Sequence, residues 1–547
     1  MKPYLLVLEN FQSLRERTEI PISPLTFLYG PNSAGKSCIH DALSLINNVI
    51  SGGSLARVHS PVSRWLHINP LIDLKSNSKR PELSIDLHFK TGYFDAAIHK
   101  GRFDIQDIFE ISGGIYNWFD EAGWEFVLSL RGEPDGLSVI ALAAGGLNIF
   151  SINLDLTHGP DKLTITKKPF GNTLTSLIQK HANPLKKQDK HYKLDCLVNF
   201  AKPISISASG GESEFERDLV EIVNILLSDL AEHISVPFNL GADRTTIENS
   251  ALSHICSNQI FPEGISGLPS NFAEAPIFNL GFPIDSKFDF MNSLAKSSYV
   301  ELFKEKNEIF IDNQTTDRLP EQTLDPVLSA AAKLGFAMGA RGRGPRRSIN
   351  EPIHGFVNRC LREHLFIDHG YQLVFEALEI RPATNLSVPP LSAALMIGSL
   401  VDKTGRRMTF EDVGTGISCV IPVLVAIHSG NGFFQQPELH LHPALQSALG
   451  DTFAEATKVE HAHHFIETHS EYIMLRCLRR IRETTAGKHP DGSPLALKPE
   501  DLSVLYFEPQ PDGCSKVKNI RVSTQGDFID RWPRGFFEER GKDLFDE

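Results

Sequence analysis

The chain contains no run of about eighteen apolar residues, so no transmembrane helix is expected. It contains no Cys-x-x-Cys pair. Its seven cysteines are scattered, which argues against a zinc ribbon or a disulfide framework. No segment of 20 to 50 residues repeats and no heptad pattern persists, which excludes a solenoid and a long coiled-coil arm. Positive charge is in deficit: 54 Lys and Arg stand against 67 Asp and Glu, a net charge of −13. A surface of that sign does not coat nucleic acid nonspecifically. The opening segment Met1–Asn10 reads as a strand and lacks the longer apolar core of a secretory leader. The expected location is therefore the cytoplasm, away from membranes. What remains is the composition of a soluble globular protein, 41% hydrophobic and 22% charged. Its 547 residues call for two or three domains.

Two local basic segments run against the overall charge. Lys180 to Lys193 carries Lys186, Lys187 and Lys190. Ala340 to Ser348 carries Arg341, Arg343, Arg346 and Arg347. Either could contact nucleic acid, or be no more than a solvated loop.

The most specific signal is Gly30-Pro31-Asn32-Ser33-Ala34-Gly35-Lys36-Ser37, which matches the phosphate-binding loop G-x-x-x-x-G-K-[ST]. The apolar run Leu25–Tyr29 before it predicts a buried strand. The spacing of Ile39, Ala42, Leu43, Leu45 and Ile46 after it predicts a helix. Glycines let the backbone wrap a phosphate, and the helix N-terminus adds positive potential. Lys36 would reach the β- and γ-phosphates of ATP, and the Ser37 hydroxyl would meet Mg²⁺. An ordinary glycine turn before a helix is the plain alternative.

Short stretches at Leu83–Phe89, Glu125–Leu130, Leu137–Leu142, Leu147–Leu154 and Leu163–Thr166 predict an antiparallel sheet. Thr173–Lys180, Asp218–Leu230, Met291–Glu305, Thr323–Ala337 and Gly355–Leu365 have helical spacing. Phe238–Arg244, Leu373–Ile380 and Met408–Phe410 read as strands. Pro21–Pro24 reads as a turn.

The last third is denser in signals. Gly414-Thr415-Gly416-Ile417-Ser418 precedes an apolar helix. Phe433-Phe434-Gln435-Gln436-Pro437-Glu438 reads as a strand ending in polar residues, and Leu441-His442-Pro443 opens another helix. His464–Glu467 is a further strand. His469 follows, and Ser470 caps a helix through Ile481. Leu502–Glu508 and Lys516–Val522 form an edge hairpin. His440, His442 and His469 could be imagined as metal ligands, and His469 as a plain buried histidine.

In this order the segments resemble an ABC-type ATPase head, as in the chromosome-maintenance, recombination-repair and overcoming-lysogenization-defect families. The resemblance covers roughly 1–60 and 400–540. It implies an α/β fold: a P-loop sheet with helices, an antiparallel β-subdomain and a largely helical insertion. The implied division is an N-terminal ATPase lobe over 1–170, an insertion over 171–370 and a C-terminal lobe over 371–547. The resemblance makes Gly30 to Ser37 the Walker A loop. Gly414, Gly416 and Ser418 take the place of the signature that meets the nucleotide of a second copy, and His469 that of the switch histidine. Gln435 and Gln436 stand where such families carry the Mg²⁺ carboxylate and the catalytic base. An amide holds no charge, takes no proton at neutral pH and binds Mg²⁺ weakly. ATP binding with poor hydrolysis is expected.

The tail Trp532-Pro533-Arg534-Gly535-Phe536-Phe537 is similar to that of the PtuA-type ATPases of Septu anti-phage systems, including those carried with retrons. That resemblance implies an HNH nuclease partner of the PtuB type. In retron versions it implies a reverse transcriptase with its branched DNA–RNA. The chain after Ser470 is too short for the Toprim nuclease of the lysogenization-defect proteins. The expected function is an ATP-gated regulator working as a head-to-tail dimer. The alternatives are a nucleotide-locked scaffold without turnover and a DNA-binding repair ATPase using Arg343, Arg346 and Arg347.

Overall fold

The computed structural model describes residues 2–50, 83–90, 125–133, 136–144, 147–154, 161–166, 191–199, 204–208, 238–240, 251–255, 353–379, 394–408, 412–459, 462–490 and 492–533, with single positions between 220 and 231. The helices expected at Thr173–Lys180, Met291–Glu305 and Thr323–Ala337 lie outside these residues. So do Lys186, Lys187, Arg341, Arg343, Arg346 and Arg347. The chain divides into two compact units. One holds Met1–Pro237, Leu502–Arg521 and Ile529–Glu547; the other holds Phe238–Asp501 and Val522–Phe528.

The first unit opens with β1 (Lys2–Glu9), β2 (Thr18–Pro21) and β3 (Leu25–Tyr29), followed by α1 (Cys38–Ile50). It continues with β4 (Leu83–Lys90), β5 (Glu125–Glu133), β6 (Gly136–Ala144), β7 (Leu147–Asn153), β8 (Asp161–Thr166), β9 (His191–Asn199) and β10 (Ser205–Ala208). All but β3 join one antiparallel sheet in the order β10-β9-β8-β7-β6-β5-β4-β1-β2. The expected antiparallel strands are all in it, and period-2 burial explains why. Leu83, Ile85, Leu87 and Phe89 are buried, while Ser84, Asp86 and His88 are less so. Opposite Ile85, Leu87 and Phe89 in register stand Leu130, Leu128 and Phe126, and the Phe89 and Phe126 rings stack at 5.5 Å.

Two differences from the sequence reading appear here. Thr18–Pro21 is a strand paired to β1, with Pro21 at its end, where a ladder bond is dispensable. The basic segment ending at Lys193 runs into β9, so Lys193 is a strand residue opposite Thr164 rather than a loop residue.

The second unit contains β11 (Phe238–Leu240), β12 (Ala251–Ile255), α2 (Ile353–Arg359), a π-helical turn (Cys360–Leu365), β13 (Gln372–Glu379), β14 (Ala394–Val401) and β15 (Arg407–Met408). Then come α3 (Thr415–Ser429), β16 (Asn431–Gln435), α4 (Pro443–Ala456), β17 (His463–Glu467) and α5 (Glu471–Thr485). β11, β16 and β17 are parallel neighbours, and α4 is the crossover between β16 and β17. β14 pairs with β12, β13 and β15 in a separate small antiparallel sheet. Strand β14 has no alternation for sequence to read, and Gly398 sits in its middle. In register Gly398 stands opposite Phe375 of β13 and Ala251 of β12. The helix expected over Gly355–Leu365 is α2 continued by the π-helical turn.

The chain returns to the first unit as β18 (Leu502–Pro509) and β19 (Ser515–Asn519), the expected hairpin. β18 runs parallel to β3, from Leu25 beside Leu502 to Tyr29 beside Tyr506. All five residues of β3 are buried, as befits a strand covered on both faces. Trp532 packs edge-on against Tyr29 at 5.2 Å and Tyr506 at 6.2 Å. One residue of the tail motif therefore braces the strand that delivers the phosphate loop.

One buried group in the second unit makes stability depend on pH. His464 of β17 is fully buried among Phe434 and Phe453, and among the described residues both ring nitrogens lack a hydrogen-bond partner. Burial first, then neighbouring His463, pushes its pKa from 6.5 down to about 3. The folded state therefore stays neutral where the unfolded chain takes up a proton. The stability is fully present above about pH 6.5 and declines as pH falls towards 3, by roughly 1.4 kcal/mol per unit. The variant His464→Leu removes this slope. Between pH 6.5 and 5 the native chain should lose about 2 kcal/mol more than the variant in urea melts. Parallel losses in both proteins would refute the assignment.

Candidate functional site

The phosphate loop follows β3 directly. Gly30 (φ 136°), Ser33 (φ 62°) and Gly35 (φ 82°) all take positive φ, the alternation that turns successive N–H groups inward. Neither glycine tolerates a side chain. A Cβ on Gly30 would lie 2.5 Å from the Phe507 carbonyl oxygen, and one on Gly35 would lie 1.8 Å from Ser13 Oγ. Lys36 is buried, and its ammonium donates to the carbonyls of Gly30 at 3.0 Å and Pro31 at 2.8 Å, inside the curve of the loop. Pro31, Asn32, Ser33 and Ser37 are exposed, while Ala34 is buried.

Two contacts distant in sequence hold the loop. Ser515 Oγ of β19 donates to the Ala34 carbonyl at 2.8 Å, and the Ser515 N–H donates to the Ser13 carbonyl at 2.7 Å. Asp41, in the first turn of α1, accepts from Gln12 Nε2 at 2.7 Å. Partial burial would raise its pKa, but hydrogen bonds from His40 and Gln12 outweigh that and hold it below the usual carboxylate range. A rigid loop with inward N–H groups, a buried cation and a helix behind it is the shape a nucleotide triphosphate needs.

The second unit gathers the remaining candidates. β16 ends at Gln435, beside Glu467 of β17. Gln436 follows in a left-handed conformation (φ 48°), unusual for a residue with a side chain, and its N–H donates to the Glu467 carbonyl at 2.7 Å. The turn Pro437–Leu441 closes through Leu439 N–H to the Gln436 carbonyl and Leu441 N–H to the Glu438 carbonyl. His442 then caps α4, its Nδ1 accepting from the Ala444 N–H at 3.3 Å, with Pro443 in the first turn. A ring nitrogen used this way does not favour the metal alternative. Among the described residues no group of three or more His, Cys, Asp or Glu side chains could hold a metal ion.

Gly414 precedes α3, and a Cβ on Gly416 would lie 2.8 Å from the His440 carbonyl oxygen. Glycine at 416 is thus what lets the start of α3 approach the turn. Ser418 is buried, with no hydrogen-bond partner for its hydroxyl among the described residues, whereas Thr415, which the sequence reading did not single out, is exposed. His469 is exposed, and its backbone N–H donates to Glu438 Oε1 at 3.0 Å. Ser470 caps α5 as expected, accepting from the Ile473 N–H at 3.4 Å.

Gly414, Gly416, Gln435, Gln436 and His469 therefore share one unit, and Gly30–Ser37 lies in the other. For Mg²⁺ the expected donors are the Ser37 hydroxyl and the Gln435 amide. Both are neutral, and that pair does not fit a tightly held divalent cation.

Residues 295–475 match the family model described as "AAA domain, putative AbiEii toxin, Type IV TA system". This span holds Gly414 to Ser418, Gln435, Gln436 and His469. The architecture around it is α/β, with parallel strands β11, β16 and β17 joined through α4. Residues 497–546 match a second family, DUF3696, a protein family of unknown function; that span holds β18, β19 and the Trp532 tail. A search of curated proteins finds no match. Among solved structures, an Smc head bound to the C-terminal winged-helix domain of ScpA aligns over 95% of this chain and 98% of its own, at 13% identity and a TM-score of 0.40. The Smc head with an extended coiled coil derived from Pyrococcus furiosus aligns over 100% and 99%, at 13% identity and a TM-score of 0.36. The head from Thermotoga maritima aligns over 95% and 100%, at 10% identity and a TM-score of 0.32. These likenesses are loose.

Proposed function

We infer that this chain is an ABC-type ATPase head that binds ATP at Gly30–Ser37 and dimerises head to tail around two ATP molecules. The Walker A loop of one copy then faces the start of α3, Gly414 to Ser418, of the other. The bound state regulates a partner nuclease in anti-phage defence, as the resemblance to PtuA-type ATPases implies. Its finer content is an HNH nuclease partner and, in retron versions, a reverse transcriptase with branched DNA–RNA. The lobes over 1–170 and 371–547 supply the nucleotide chemistry, and the insertion over 171–370 supplies the platform. ATP shifts which surface is exposed by binding one state better than the other.

The observation that carries this reading is the phosphate loop, with its positive-φ glycines and the buried Lys36 inside it. Lys36→Ala is expected to weaken ATP binding about 100-fold, the scale of losing charged hydrogen bonds to phosphate. ATP-driven dimerisation should disappear with it. Titration calorimetry and sedimentation with and without ATP measure both. Undiminished ATP affinity in the variant refutes the reading. A second reading, a nucleotide-locked scaffold without turnover, is favoured by the paired amides Gln435 and Gln436, and phosphate release separates the two.

A further inference from the structure

The turn Pro437–Leu441 and the segment Thr468–Ser470 are joined twice, by side chains to which the motifs give no role. The first bridge is Glu438, whose Oε1 accepts the His469 N–H at 3.0 Å. The second is Gln446, one turn into α4. Its Nε2 donates to the Leu441 carbonyl at 2.9 Å, and its Oε1 accepts from Ser470 Oγ at 2.7 Å. Ser470 Oγ in turn accepts from the first turn of α5. The two bridges clasp both ends of the turn and fix the backbone on both sides of the His469 peptide. On the turn's other side the His440 carbonyl abuts Gly416. Among the described residues Glu438 Oε2 is buried without a hydrogen-bond partner, and the bond to the His469 N–H is what holds the carboxylate.

We propose that Glu438 and Gln446 are positioning residues that couple the Pro437–Leu441 turn to His469. The turn is where a second copy's nucleotide head would press, and His469 is the side chain that would meet the γ-phosphate. The clasp makes the two move as one piece, so that engagement of the turn sets the position of the imidazole. Bridged hydrogen bonds of this kind favour two discrete arrangements over continuous drift, which suits a contact that must exist with ATP and vanish with ADP. This inference rests on the nucleotide reading above.

The test compares ATP with ADP affinity in the full-length chain. His469→Ala, Glu438→Ala, Gln446→Ala and the double variant Glu438→Ala/Gln446→Ala are measured by calorimetry with each nucleotide. Each is expected to lower the preference for ATP over ADP by about tenfold, the scale of one charged hydrogen bond, with ADP affinity unchanged. Adding His469→Ala to the double variant should cost little more, because the same contact is already lost. Glu438→Gln keeps an acceptor for the His469 N–H and should preserve the preference. A damaged fold would weaken both nucleotides together and would not be rescued by Gln. The proposal fails if the double variant keeps the preference that His469→Ala removes, or if His469→Ala itself changes nothing. Loss of all nucleotide affinity in Lys36→Ala, with the ATP preference intact in the double variant, would sink the coupling and leave the nucleotide reading standing.

Discussion

Gln435→Glu is expected to raise phosphate release by about 100-fold over the unmodified chain, within the several kcal/mol that a held metal ion supplies to phosphoryl transfer. The position is half-buried at the end of β16, where the strand hands over to the left-handed Gln436. An amide there has the shape of a carboxylate without its charge. It gives little to Mg²⁺. Glutamate restores the charge, while the base belongs to position 436. The substitution carries a local cost, since Glu467 of β17 is the register neighbour of Gln435. Like charges side by side on a sheet destabilise by up to about 1 kcal/mol. A small drop in melting temperature should therefore accompany the gain in turnover. The assay is steady-state phosphate release with ATP and Mg²⁺, with Gln436→Glu alongside to separate the two positions. If both variants bind ATP and neither turns over faster, the locked-scaffold reading replaces the ATPase reading.

The largest effect on stability is expected at Arg359. Its guanidinium bonds Glu455 twice, at 2.6 and 3.1 Å, and lies 5.4 Å from the Phe356 ring centre. Glu455 is buried near the end of α4, and the pair pins α2 to the helix whose first turn carries Gln446. Removing one partner leaves a carboxylate in a site shaped for an ion pair. Arg359→Ala should cost about 3 kcal/mol, at the low end for a buried pair because the arginine is partly exposed. In a unit of this size that is roughly a 6 to 12 °C fall in melting temperature. Replacing both partners with methionine should recover most of the loss, because no charge is then stranded. A shift of under about 1 °C in the single variant would show that the pair contributes little.

Most of the candidate site was legible because its pieces are local. Gly30 to Ser37 is a contiguous loop whose flanks announce a buried strand and a helix, and both formed as read. The strands ending at Gln435 and Glu467 and the cap at Ser470 are local patterns of the same kind. The strands that escaped the sequence reading lacked a pattern. Ala394–Val401 is apolar without alternation and broken by Gly398, and it is the ladders to β12, β13 and β15 that make it a strand. His191–Asn199 alternates weakly behind a basic run, and it is the partner strand β8 that extends it.

The sequence by itself determined the elements and the chemistry at their ends: a phosphate loop with its lysine, two amides where carboxylates would stand, and a histidine after a strand. Only the tertiary structure decided what holds them. Ser515 reaches Ala34 across 481 residues of chain, and Gln446 reaches Ser470 across 24. Glu438 reads as a lone acid after a strand until its oxygen is found on the His469 N–H. Trp532 reads as a tail motif until its ring is found on Tyr29. Such contacts leave no local trace, because hydrogen bonding and packing select partners by proximity in space, and a periodic pattern reports only which face of an element is buried.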